Sequence, residues 1–142
     1  MINVALIGNP NTGKTTVFNK LTGSNQYVGN WPGVTIDKKH GFFKEDIKIT
    51  DLPGIYAMDT FSNEEIISKN FLKDNNVNLI VNVIDSTNLE RNLYLTTQLM
   101  EFNKPIIILL NMIDIAEKRG INIDTDILEE KVGIVLNYVD EL

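Results

Sequence analysis

Gly8-Asn-Pro-Asn-Thr-Gly-Lys-Thr15 follows the apolar run Ile2-Asn-Val-Ala-Leu-Ile7 and precedes Thr16-Val-Phe-Asn-Lys-Leu-Thr22, with Gly23 behind it. A buried strand, a glycine-bounded loop and a helix start form the setting in which G-x-x-x-x-G-K-[ST] cradles phosphate. Gly8 and Gly13 let the backbone turn and approach a polyphosphate without a Cβ clash. Loop N–H groups and the helix N-terminus add partial positive charge. Lys14 supplies a full charge for the β- and γ-phosphates, and the Thr15 hydroxyl can ligate Mg²⁺.

Outward from this stretch, apolar runs alternate with helical patterns along all 142 residues, which predicts a mostly parallel sheet covered by helices. The length suits one domain. A net charge of −6 argues against a general nucleic-acid binder, because no basic stripe offsets phosphate repulsion. With no cysteine, disulfides, thiolate metal sites and cysteine catalysis are excluded, and a reducing compartment fits. The chain opens directly on a strand, so no signal peptide is expected, and residues 106–110 are far too short an apolar run to span a bilayer. These features predict a soluble, cytoplasmic domain.

Residues 24–35 read as a long polar loop, a length that usually carries function. Residues 37–43 and 46–50 read as a hairpin about Lys44-Glu45, the second strand running into Asp51-Leu-Pro-Gly54. Ser62-Asn-Glu-Glu65 is a capping box for a helix reaching about Leu72. Residues 78–84 form a strand ending at Asp85, and Thr87-Asn-Leu-Glu90 is a second capping box for a helix to about Phe102. Residues 106–110 form the most apolar strand and deliver Asn111-Met-Ile-Asp114. Residues 116–119 read as one helical turn before Gly120. Asp124 or Thr125 caps a short helix to Val132, and residues 134–142 offer one last strand.

Ligands sit at the carboxyl ends of strands in a parallel α/β sheet, and three motifs fall at such ends. Together they spell an α/β fold, a three-layer P-loop GTPase (Ras-like) domain with helices on both faces of the sheet. Asp51 can hold Mg²⁺ through water, and Gly54 leaves its N–H free for the γ-phosphate. Asp114 can accept from guanine N1–H and the exocyclic amine, which adenine cannot match. Asn111 can tie its loop to the phosphate loop and contact the base. Thr35 is the candidate switch threonine, its hydroxyl on Mg²⁺ and its N–H near the γ-phosphate. Trp31 is either a core anchor or an exposed partner contact. Ile55 and Tyr56 follow Gly54, and neither can orient the attacking water as the glutamine of many GTPases does. Arg91 and Arg119 are the arginines, and neither reads as a finger. Asn11 then either holds a monovalent cation beside the phosphates or stabilises its own turn. His40 reads as a surface residue, and Glu64, Glu65, Glu129 and Glu130 as solvated helix faces.

The nucleotide contacts expected are Gly8, Asn9, Pro10, Asn11, Thr12, Gly13, Lys14, Thr15, Thr16, Gly33, Val34, Thr35, Asp51, Gly54, Asn111, Met112 and Asp114. Catalysis falls to Lys14, Thr35, Gly54 and Asn11. The cofactors expected are GTP or GDP, Mg²⁺ on Thr15, Thr35 and Asp51, and K⁺ on Asn11.

Gly8–Thr15, Val28-Gly-Asn-Trp-Pro-Gly-Val-Thr35, Asp51-Leu-Pro-Gly54, Asn88-Leu-Glu-Arg-Asn-Leu-Tyr-Leu95 and Asn111-Met-Ile-Asp-Ile-Ala-Glu-Lys-Arg-Gly120 closely resemble the cytoplasmic G domain of the ferrous-iron transport protein B (FeoB) family. The resemblance runs from about residue 2 to residue 133. It implies a potassium-stimulated GTPase with weak GDP retention, in which the asparagine matching Asn11 contributes to the potassium site. It also implies that the whole chain, 1–142, is a G domain joined in a full-length protein to a helical spacer and a polytopic membrane domain that moves Fe²⁺. Such a protein would sit at the cytoplasmic face of the inner membrane, with a homo-oligomer among the assemblies open to it. The family's base-contacting Ser-Ala type motif past Gly133 is replaced here by Asp140 and Glu141 in a gapless alignment. A potassium-dependent GTPase of ribosome or tRNA, and a non-catalytic nucleotide-sensing module, are the other functions these residues would fit.

Overall fold

The computed structural model describes residues 1–136. The chain opens with β1 (Ile2–Gly8), whose buried run continues to the first residue of the loop. α1 (Lys14–Thr22) follows, with Gly13 as its N-cap in the left-handed region. Next come β2 (Gln26–Asn30), β3 (Asp37–Phe43) and β4 (Ile47–Asp51). α2 (Asn63–Leu72), β5 (Leu79–Asp85) and α3 (Leu89–Leu99) form the middle of the chain. β6 (Ile106–Asn111), α4 (Ile113–Lys118), α5 (Thr125–Lys131) and β7 (Ile134–Leu136) complete it.

Seven strands make one sheet in the order β2-β3-β4-β1-β5-β6-β7. β1 pairs in parallel with β4 and β5, β5 with β6, and β6 with β7. The β2–β3 and β3–β4 pairs are antiparallel. One face packs Val4, Leu6, Ile49, Val83 and Leu109 against Val17 and Phe18 of α1. The other packs Ile7, Ile80, Ile84, Ile108 and Leu110 against Leu72 of α2 and Leu95 and Leu99 of α3. Continuous apolar strands thus become a sheet buried on both faces, as parallel strands require. Asn82, itself buried, interrupts the apolar run of β5. Its Nδ2 donates to the Ile7 carbonyl at 3.3 Å, and its Oδ1 accepts from Thr96 at 2.6 Å. This couples β5, β1 and α3 directly beneath the Gly8 loop.

The structure departs from the expected elements in five places. Residues 24–35 are not all loop, for residues 26–30 are the edge strand β2. Backbone pairing to β3 forms it without an apolar pattern, since four of its five residues are exposed. α4 begins at Ile113 rather than Ala116, because Met112 at φ 59° turns the chain straight from β6 into the helix. The helix expected to Phe102 stops at Leu99 and tightens into a 3₁₀ turn over Met100–Phe102. The Thr87–Glu90 capping box does not form. Asp85 instead accepts from both the N–H and the hydroxyl of Thr87, at 2.9 and 2.6 Å, and opens a 3₁₀ turn over Ser86–Asn88. At α2 half of the expected box is present. Ser62 accepts from Glu65 N–H at 3.2 Å, while the Glu65 carboxylate goes to the N–H and hydroxyl of Thr60. Asp140 and Glu141 lie outside the described residues.

Candidate functional site

At the carboxyl end of β1 a cavity of about 420 Å³ is lined by Asn9, Pro10, Asn11, Gly13, Lys14, Thr15 and Gly54. A larger cleft, of about 780 Å³, lies between the C-terminal ends of α2 and α3, beside Val77 and Pro105. It is at the amino ends of β5 and β6, the wrong end of a parallel sheet for a ligand, so size does not identify the site here.

The loop is built by two left-handed residues, Asn11 at φ 65° and Gly13 at φ 85°. Gly13 provides no side-chain cap, so the free N–H groups of the first turn of α1 face the cavity unoccupied by a side chain. A Cβ on Gly13 would stand 2.2 Å from Asn111 Nδ2. The position is therefore glycine for a packing reason as well as a conformational one. Gly8 has a packing reason too. A Cβ there would lie 2.5 Å from the Val83 carbonyl, so close passage of β1 and β5 already demands it.

The Asp51 loop is fastened to the Gly8 loop. Ile55 N–H donates to the Gly8 carbonyl at 3.2 Å, and buried Asn9 donates its Nδ2 to the Ile55 carbonyl at 2.9 Å. Gly54 packs on Pro10, where a Cβ would come to 3.3 Å of its backbone. Lys14 Nζ forms an ion pair with Asp51 Oδ1, each side chain 11% exposed. The third strand end joins through Asn111, whose Nδ2 donates to the Thr12 carbonyl at 2.9 Å across 99 residues of sequence. Asp114 is exposed in the first turn of α4, and Met112 is that helix's N-cap. Asn9 Oδ1 and Thr12 Oγ1 are buried with no hydrogen-bond partner. Of these, Asn9 lines the cavity, and an orphaned amide oxygen there, beside uncapped N–H groups, fits a polar ligand rather than a dry packing defect. Among the described residues no three of His, Cys, Asp and Glu gather closely enough to hold a metal. A divalent cation here would rest on Thr15, Asp51 and the ligand's own oxygens.

The structure does not bring every expected residue to this cavity. Thr35 is exposed and Gly33 and Val34 stand apart from it. Residues 31–36 close on themselves through Trp31 N–H to Ile36 carbonyl at 3.0 Å and Val34 N–H to Trp31 carbonyl at 3.2 Å. Val34 packs against the core, and Trp31 is itself core, edge-on to Phe71 of α2 at 5.8 Å with Lys38 4.6 Å above its ring. Arg91 lies over the Tyr56 ring at 4.0 Å. Two supporting residues were not found from sequence: Asn82, an amide inside an apolar strand, and Asn92, which accepts from Asp85 N–H at 3.1 Å and gives no such signal on a helix.

A sequence model of a family described as ferrous iron transport protein B matches residues 2–140. The Fe(2+) transporter FeoB of Legionella pneumophila (strain Lens) is 53% identical over 140 residues, covering 94% of this chain and 19% of the relative. That of Escherichia coli (strain K12) is 48% identical over 139 residues, 93% of this chain and 18% of the relative. The chain thus spans about a fifth of the length of these relatives. A crystal structure of an S. thermophilus NFeoB variant bound to GDP superimposes with a TM-score of 0.93 at 49% identity, over 99% of this chain and 57% of that one. The G domain of the T. maritima FeoB iron transporter gives 0.87 at 39% identity, over 99% of this chain and 89% of that one.

Proposed function

Because the chain belongs to the ferrous iron transport protein B family, we propose that residues 1–142 are its guanine-nucleotide-binding G domain and hydrolyse GTP to GDP and phosphate. The observation that carries this reading is the joining of three strand ends into one site: the Gly8 loop, the Asp51 loop clasped to it by Asn9, and Asn111 hydrogen-bonded to Thr12. Water attacks the γ-phosphorus, the bond to the β-phosphate oxygen breaks, and negative charge spreads over the γ-oxygens and the leaving GDP.

Lys14 neutralises that charge, and the N–H groups of residues 13–16 donate to the β-phosphate at the helix N-terminus. Triphosphate binding would release Lys14 from Asp51 to pair with phosphate. Thr15 and, after its loop moves, Thr35 would hold Mg²⁺, with Asp51 beside it. Bound Mg²⁺ would neutralise β- and γ-oxygens and order the loop of residues 31–36. Asp114 and Asn111 read the guanine edge, and the carboxylate left without a donor rejects adenine. K⁺ held on the Asn11 amide oxygen would supply the positive charge that no arginine offers. In the full-length protein this domain sits at the cytoplasmic face of the membrane and couples nucleotide state to Fe²⁺ uptake by a membrane domain.

GTP turnover in potassium chloride against sodium chloride, at equal ionic strength, tests the reading. Faster turnover in potassium that disappears in Asn11→Ala is the expected result. Equal rates in both salts remove the potassium step, and no turnover in either leaves only a nucleotide-binding module.

A further inference from the structure

β2 is an edge of the sheet, with β3 as its neighbour among the described residues. Its sequence, Gln26-Tyr-Val-Gly-Asn30, holds no charge and no proline, the devices that usually protect an edge from pairing. Tyr27 and Val28 are 58% and 65% exposed, and Gly29 has open space where a Cβ would be. One face of this wing is aromatic. Tyr27 stacks on His40 at 5.0 Å, and Phe42 sits edge-on to both, at 6.1 and 6.0 Å.

That face is also basic within a chain of net charge −6. The register puts Tyr27, His40 and Thr50 in line, with Lys38 and Phe42 on the same face of β3 and Lys48 opposite Phe42. None of the residues that β2, β3 and β4 place on it is acidic. Lys38 and Lys48 border two adjoining hollows of about 240 and 270 Å³, the first against Tyr27, Val28 and His40. The acid on the second, Asp74, has its Oδ1 hydrogen-bonded to Asn76 N–H at 2.9 Å. Desolvation, then Lys48 and Lys38, hold His40 below its ordinary pKa.

We propose that β2 is a docking edge for an acidic, extended polypeptide segment, which adds to the sheet as a further strand beside Gln26–Asn30 and sets its carboxylates against Lys38 and Lys48. Main-chain hydrogen bonds to the open edge give affinity, and alternate side chains give selectivity, the general logic of strand addition. A second copy of this chain is disfavoured, because pairing β2 with itself about a two-fold axis would bring the two sets of lysines together. A bare polyanion can use the lysines and not the backbone edge. Five residues of strand ask for a partner segment of about the same number. β2 runs directly into Trp31, so an added strand fixes the entry to the loop that carries Thr35.

The test uses an end-blocked peptide of about ten residues alternating glutamate and valine, with a lysine–valine peptide of equal length as control. Calorimetry measures affinity, and amide exchange by NMR measures location. The expected result is binding of the glutamate peptide alone, with exchange slowed at amides of residues 26–30. The double variant Lys38→Glu/Lys48→Glu, checked for an unchanged amide spectrum elsewhere, then weakens the glutamate peptide about tenfold, the equivalent of two exposed ion pairs reversed. It also gains the lysine peptide. Equal binding of both peptides, no binding of either, or binding without protection at residues 26–30 overturns the proposal. So does dimerisation of the peptide-free chain through β2, which assigns the edge to a second copy.

Discussion

Gly13 and Gly120 show how two glycines of positive φ carry different burdens. Their φ values are 85° and 77°, but a Cβ on Gly13 meets Asn111 Nδ2 whereas one on Gly120 meets nothing within 4 Å. Gly120→Ala therefore costs only the positive-φ conformation, about 1–2 kcal/mol. Gly13→Ala adds the loss of the Asn111–Thr12 hydrogen bond, a further 1 kcal/mol or so. Urea unfolding of the two variants should rank them in that order, and equal costs would mean that Asn111 simply swings aside. His40 gives a pH signal because it is the single histidine of the chain. Desolvation first, then Lys48 and Lys38, hold its pKa below the ordinary 6.5. The unfolded chain therefore binds its proton more readily, so this contribution is intact above pH 6.5 and is lost as pH falls below it. His40→Gln should flatten the slope of stability against pH just below 6.5, and an unchanged slope would assign it to carboxylates.

At the level of elements, caps are where sequence and structure part most instructively. Ser62 caps α2 as its box predicts, so Ser62→Ala should cost about 1 kcal/mol. Thr87 and Glu90 fit the same pattern but make no box, because Asp85, at the end of β5, takes both donors of Thr87 first. Asp85→Ala should then cost about 1–2 kcal/mol and Glu90→Ala no more than about 0.5, measured by denaturation. The reverse order would restore the box. The same competition explains what could be read in advance. β1, β5 and β6 are buried on both faces, and their apolar runs announced them. β2 was hidden because an edge strand is defined by backbone pairing to β3 and not by its own exposed side chains. The Gly8 loop and the Asn111 strand end were legible from spacing alone. The place of Thr35 was not, because Trp31 packing on Phe71 holds residues 31–36 to α2 and away from the cavity.

Over the whole molecule, the site is where the two halves of the chain meet. The Gly8 loop belongs to β1 and Asn111 to β6, at opposite sides of β5 in the sheet, and one side-chain hydrogen bond joins them across 99 residues of sequence. A ligand that fills the loop alone braces β1 and α1. One that also reaches Asn111 and Asp114 braces β6 and α4 as well. Any ligand that binds the folded chain and not the unfolded one stabilises it by RT ln(1 + [L]/Kd), about 2.7 kcal/mol at a hundredfold excess over Kd. For a domain of this size that raises the melting temperature by about 8 °C. GDP with Mg²⁺ should reach such a shift at a far lower concentration than inorganic pyrophosphate, and ADP should follow pyrophosphate rather than GDP. In the proposed site only the guanine edge would engage the second half, so the gap between GDP and ADP would measure the contribution of the β6 end directly. Equal shifts with GDP and ADP would show that the phosphate loop alone binds, and that Asn111 and Asp114 read no base.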